Sequence, residues 1–100
     1  MKRKKNGFKE DFYRELEDKE AAETYLNDAM KSGDAGTILL AIRDLAKVRG
    51  VAEIAKKTGI QREHLYTILS EHGNPTLESF NSIMDALGYE LQVKKKASGD

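Results

Sequence analysis

Gln61, Arg62, Glu63, Tyr66, Thr67 and Ser70 carry most of the recognition chemistry in this 100-residue sequence. They fall opposite Leu65, Ile68 and Leu69 at helical spacing, so a single helix would bury the aliphatic residues and present the polar set to solvent. The planar fork of Arg62 matches O6 and N7 of a guanine, and Gln61 matches an adenine edge. Tyr66 and Thr67 suit a thymine methyl or a phosphate. Glu63 can accept from a cytosine amino group or simply complement the positive end of a helix dipole. Lys47, Arg49, Lys56 and Lys57 are candidates for phosphate contacts, which set register and weaken with salt, although simple solvation explains each lysine equally well. Catalysis has no comparable constellation. The two histidines, His64 and His72, are too far apart along a helix to pair at i, i+4. Asp11, Glu15 and Asp18 lack the glycine-bounded loop of a calcium site. There is no phosphate-cradling glycine loop, no serine elbow and no metal-ligand spacing, so no catalytic residue, metal or cofactor is expected.

Placing the polar set requires two helices and a tight turn. Ala55 supplies a small residue where crossing helices touch, and Gly59 accepts left-handed geometry in the turn without a Cβ clash. Ile54, Leu65 and Ile68 form the core under the pair, with Ile60 beside the turn. The pair spans about Val51–Thr58 and Gln61–Glu71. Earlier in the chain, Phe8, Phe12, Tyr13 and Leu16 suggest a short helix. Asp18 caps a helix with Ala22, Tyr25, Leu26, Ala29 and Met30 on one face, ending at Ser32–Gly33. Asp34 caps another, with Ile38, Leu39, Ile42, Leu45 and Ala46 recurring to Gly50. Beyond the break at Gly73–Asn74–Pro75, Thr76 caps a final helix through Leu77, Phe80, Ile83, Met84 and Leu87, stopped by Gly88. Tyr89, Leu91 and Val93 alternate with Glu90, Gln92 and Lys94 as in a short strand. The expected organisation is a flexible basic arm over residues 1–9, one domain over 10–94 and a flexible tail over 95–100.

Seventeen basic and seventeen acidic residues cancel to a net charge of zero, so global charge argues for no polyanionic partner. Its distribution is uneven. The N-terminal end is basic, the stretch from Glu10 to Asp34 is predominantly acidic, and the stretch from Ala35 to Ser70 is predominantly basic. Such a reversal suggests two surfaces with different partners, with ordinary solvated helix faces as the plain alternative. The sequence contains no cysteine, which excludes disulfides, thiolate metal sites and cysteine nucleophiles and suits a cytoplasmic setting. The longest apolar run, Ile38–Ile42, is far below the roughly 20 residues of a membrane span, and no secretory signal is visible.

The Ala55, Gly59, Leu65 and Ile68 spacing resembles the helix-turn-helix signature of the lambda-repressor-like (Xre/Cro) family. That resemblance implies an all-α, lambda-repressor-like bundle of about five helices, here with a short C-terminal strand. Further segments extend the likeness over about residues 12–93: Glu20–Ala29, Gly33–Asp34, Ala41–Ala46, Arg62–Tyr66 with Leu69–Ser70, Gly73–Thr76 and Ala86–Gly88. Together they resemble HigA-like addiction-module antidote proteins, also described as prophage DNA-binding proteins. The resemblance implies a dimeric repressor of its own operon, bound to double-stranded operator DNA, that neutralises a RelE/HigB-type ribonuclease toxin. Two positions depart from the pattern. Val51 stands where lambda-like repressors often place a phosphate-clamping Gln, and Gln61 replaces the usual Ser or Thr cap of the recognition helix.

A monomer with one recognition helix covers half a palindrome, so a homodimer is expected. Leu77, Phe80, Met84 and Leu87 of the last helix and the Tyr89, Leu91, Val93 edge are its candidate surface; for the helix residues, intramolecular core is the equal alternative. Glu17, Glu20 and Glu23 are the candidate contacts for a basic toxin. Two other functions share these features: a prophage repressor without a toxin, and a protein-interaction adaptor that no longer binds DNA.

Overall fold

Three helices in this chain begin where a side-chain oxygen takes up an otherwise orphaned amide. The computed structural model describes residues 2–97, with side chains from Lys9 onward, and over that range the chain is all-helical. The elements are α1 (Lys2–Glu15), α2 (Lys19–Ser32), α3 (Ala35–Arg49), α4 (Val51–Thr58), α5 (Arg62–Ile68) and α6 (Leu77–Leu87). Asp18 accepts from the Ala21 N–H at 2.9 Å to open α2, and Thr76 accepts from the Ser79 N–H at 3.0 Å to open α6. Asp34 opens α3 by accepting from both the hydroxyl and the N–H of Thr37, at 2.7 and 2.9 Å. Those two donors, the hydroxyl first, hold the Asp34 carboxyl below its ordinary pKa. Gly33 and Gly88 end α2 and α6 in the left-handed conformation.

The core gathers on α3. Ile42 is fully buried there, and Ile54, Leu65, Ile83 and Leu87 close around it from α4, α5 and α6. On the other side, Leu16, Ala22, Leu26 and Ala29 bring the end of α1 and the length of α2 onto the same cluster. A polar lock joins these three helices. The Tyr25 hydroxyl donates to one oxygen of Asp44 at 2.7 Å and the Tyr13 hydroxyl to the other at 3.2 Å. Phe12 meets the Tyr25 ring edge-on, with centroids 5.2 Å apart. Burial, and then the Asp44 carboxylate, push both phenols above their ordinary pKa.

Several expectations change here. Residues 2–9, set apart as an arm by charge and Gly7, are helical backbone continuous with α1. Lys and Arg are good helix formers, and one glycine costs only about 1 kcal/mol against alanine. Met1, and residues 98–100 of the expected tail, lie outside the described residues. The helix foreseen to Glu71 stops at Ile68, because Leu69 leaves helical geometry and Ser70 and Gly73 bond back into successive turns. The strand expected at Tyr89–Val93 does not form. Its residues lack helix and ladder alike, since no second strand exists among the described residues to pair with them. No described helix is long and apolar enough to cross a membrane.

Candidate functional site

The turn between α4 and α5 is built from four adjacent residues. Gly59 adopts φ +78° and donates its N–H to the Ala55 carbonyl at 2.8 Å. A Cβ there would meet nothing within 4 Å, so the requirement is purely conformational. The Thr58 hydroxyl donates to the Ile54 carbonyl at 2.9 Å and accepts from the Ile60 N–H at 3.1 Å, closing the turn. Gln61 then occupies the N-cap of α5 with no side-chain cap bond. Ile54 and Leu65 are 1% exposed and Ile68 8%, while Ala55 is half-buried beside them.

The opposite face of α5 is open. Gln61, Arg62, Glu63 and Thr67 are exposed, and Tyr66 and Ser70 are half-buried. The Thr67 hydroxyl donates to the Glu63 carbonyl at 3.1 Å and that of Ser70 to the Thr67 carbonyl at 2.9 Å. Both hydroxyl protons therefore serve the local backbone, leaving oxygen lone pairs to accept from outside. Arg43 of α3 is a member that sequence reasoning missed. Its guanidinium carbon lies 5.5 Å from the Tyr66 ring centroid, and its buried Nε has no hydrogen-bond partner among the described residues. Nothing in the local spacing of α3 signals this contact, because it depends on how α3 and α5 pack.

The cations do not all gather here. Lys56 is exposed on α4, whereas Lys57 lies 3.2 Å from Glu53 in a half-exposed pair along the helix. Lys47 is half-buried on α3. Arg49 faces elsewhere. It lines an open groove of about 800 Å³ with Lys19, Glu23, Leu26, Met84 and Tyr89, and a smaller hollow with Leu16, Glu17 and Leu87. No α5 residue lines either space, so Arg49 belongs to the α2–α6 side of the molecule. Val51 is buried, so it serves the core instead of reaching outward.

Glu17, Glu20 and Glu23 are exposed but border three different depressions, Glu20 lining a shallow one with Phe12 and Tyr25. The surface read for a second copy divides sharply. Met84 and Leu87 are buried within the chain, 3% and 1% exposed. Their positions on α6 turn inward toward α4 and α3, whereas Leu77 is 73% exposed and Phe80 half-buried. Tyr89 is half-buried, and Leu91 and Val93 stand at 43% and 101% exposure. Among the described residues no three His, Cys, Asp or Glu side chains group as a metal site.

Comparisons with known proteins agree with one another in extent. A protein of Haemophilus influenzae (strain Rd), itself uncharacterized, is 38% identical over 80 residues, covering 80% of this chain and 82% of its own. No solved structure matches. A family model described as "Probable addiction module antidote protein" matches residues 8–95. Matched over nearly its whole length, the chain belongs to the family of probable addiction module antidote proteins.

Proposed function

We propose that this chain is a sequence-specific DNA-binding autorepressor and the antitoxin of a toxin–antitoxin module, HigA-like in kind, neutralising a RelE/HigB-type ribonuclease toxin. The observation that carries the DNA half is the α4–Gly59–α5 unit: a buried Ile54, Leu65, Ile68 face beneath an exposed Gln61, Arg62, Glu63, Thr67 face. In this reading α4 and α5 are a lambda-repressor-like helix-turn-helix. α5 enters the major groove, where Arg62 and Gln61 read base edges and Tyr66, steadied by Arg43, contacts a thymine methyl or the backbone. Lys56 holds a phosphate, and two copies span a palindrome. The antidote family supports the toxin half, since an antidote implies a toxin partner.

A second reading, an interaction adaptor without DNA binding, is favoured by the buried Val51 and the uncapped Gln61, which together remove one phosphate clamp and one helix anchor. Titrating the protein against its own promoter duplex and a scrambled duplex, at low and physiological salt, separates the two. A promoter preference of about a thousandfold or more at physiological salt is the expected result. Equal, steeply salt-dependent binding to both duplexes means that the helix pair does not read sequence without a partner, and no binding to either supports the adaptor.

A further inference from the structure

The residues after α6 alternate apolar and polar, the sequence pattern of half a β-ribbon. The Tyr89 N–H donates to the Met84 carbonyl at 2.9 Å, which fixes where the chain leaves the helix. From Glu90 to Lys96 no backbone hydrogen bond forms among the described residues. The residue types nevertheless alternate. The Gln92 amide donates to the Glu90 carboxylate at 2.8 Å, placing the two on one side, as a period of two requires. Leu91 and Val93, the intervening residues, expose 43% and 101% of their surface. Neither Glu90 nor Lys94 has an ion pair among the described residues. Apolar residues left open beside an unpaired backbone edge are a template for another strand.

We infer that residues 89–95 pair antiparallel with the same segment of a second copy, about a two-fold axis through Gln92; this rests on the dimer of the proposed function and specifies how it is built. The sequence selects this register. A two-fold antiparallel pair needs its axis perpendicular to the ribbon, so only registers centred on a residue keep each face intact. Centring on Gln92 sets Glu90 opposite Lys94 of the second copy, twice, and Leu91 opposite Val93, twice. Centring on Leu91 leaves Glu90 facing Gln92 with no ion pair. Centring on Val93 sets Leu91 against Lys95. Only the Gln92 register satisfies charge and apolar pairing together. The ribbon would lie along the groove that Leu91 and Tyr89 line with Leu26 and Met84, and no α5 residue borders that groove. Both recognition faces therefore remain uncovered. A lone two-stranded ribbon is marginal in water, and this groove supplies the surface that it needs.

The test uses the full chain, which contains no cysteine of its own. Opposed residues in such a pair have Cα atoms about 4.5–5.5 Å apart, within disulfide reach. Gln92→Cys is expected to form an interchain disulfide under mild oxidation. Lys96→Cys is not, because that register holds the two positions roughly 27 Å apart. By sedimentation, Glu90→Lys and Lys94→Glu should each weaken the dimer by roughly tenfold, by placing like charges opposite one another. Mixing these two variants should restore it as a heterodimer, since every opposed pair then carries opposite charge. A dimer that persists without the Gln92→Cys crosslink and ignores both reversals overturns the ribbon but leaves the dimer reading intact. A protein monomeric at every concentration overturns both. Hydrogen-exchange protection of residues 90–94 that appears only with a co-expressed toxin assigns the edge to the toxin and overturns the second copy.

Discussion

Arg62 and Lys56 are both exposed cations on one helix pair, yet the physics expected of them differs. A guanidinium at the start of α5 can form two parallel hydrogen bonds to one guanine, an arrangement that no other base pair reproduces. An ammonium on α4 meets a phosphate as a point charge and releases counterions whatever the sequence. Arg62→Ala should therefore lose about 1–3 kcal/mol of discrimination at a single base pair, and Lys56→Ala should weaken all duplexes alike and flatten the salt slope by about one unit. Promoter variants titrated over a salt series measure both. Equal, sequence-blind losses from the two substitutions contradict the assignment. The outward set on α5 was legible because helical periodicity alone separates Gln61, Arg62, Glu63 and Thr67 from Leu65 and Ile68. Arg43 was not, and nor was the bonding of Asp44 to Tyr13 and Tyr25, which spans 31 and 19 positions. Those contacts exist only once α1, α2, α3 and α5 have packed, and local spacing carries no trace of them.

At the scale of elements, two glycines bracket α5 for different reasons. Gly59 needs only its positive φ, with open space where a Cβ would stand. Gly73 has no such torsion, but a Cβ there would lie 2.1 Å from the Ile68 carbonyl oxygen and 2.6 Å from its carbon. The chain folds back against the last turn of α5 closely enough that only hydrogen fits. Gly59→Ala should cost about 1–2 kcal/mol of stability through strain, and Gly59→Asn less, because Asn tolerates the left-handed region. Gly73→Ala must move backbone, so its loss should be at least as large, with no relief from Asn. Urea midpoints of the four variants decide between these causes, and a mild Gly73→Ala contradicts the close approach. Helix ends were the most legible part of the fold, since Asp18, Asp34, Thr76, Gly33 and Gly88 act on amides and carbonyls within a turn of themselves. The Gly73–Pro75 break was visible too, although the steric reason for Gly73 lies in the packed loop. The strand pattern at Tyr89–Val93 was equally visible and formed nothing within the chain, because alternation states only what a strand would bury and does not supply its partner.

Across the whole molecule, zero net charge conceals an uneven distribution. The basic candidates Lys56 and Arg62 lie on α4 and α5, while Glu17, Glu20 and Glu23 lie at the α1–α2 turn and along α2. These acids line separate depressions and share no single pocket, so in the proposed function they would act on a toxin through their summed field and not as one clamp. A basic ribonuclease would be steered by that field and have its RNA-facing surface covered. Replacing all three with Lys should slow toxin association and strengthen salt-dependent binding to any duplex, because the protein becomes cationic overall. Replacing all three with Gln should slow toxin association less, with little gain in DNA binding, which separates loss of attraction from gain of repulsion. Association rates at low and high salt provide the measurement. Steering acts on encounter more than on the bound state, so the difference between variants should shrink as salt rises. If neither triple substitution alters the association rate at low salt, the toxin docks elsewhere, and the groove that Arg49 shares with α2 and α6 becomes the next surface to probe.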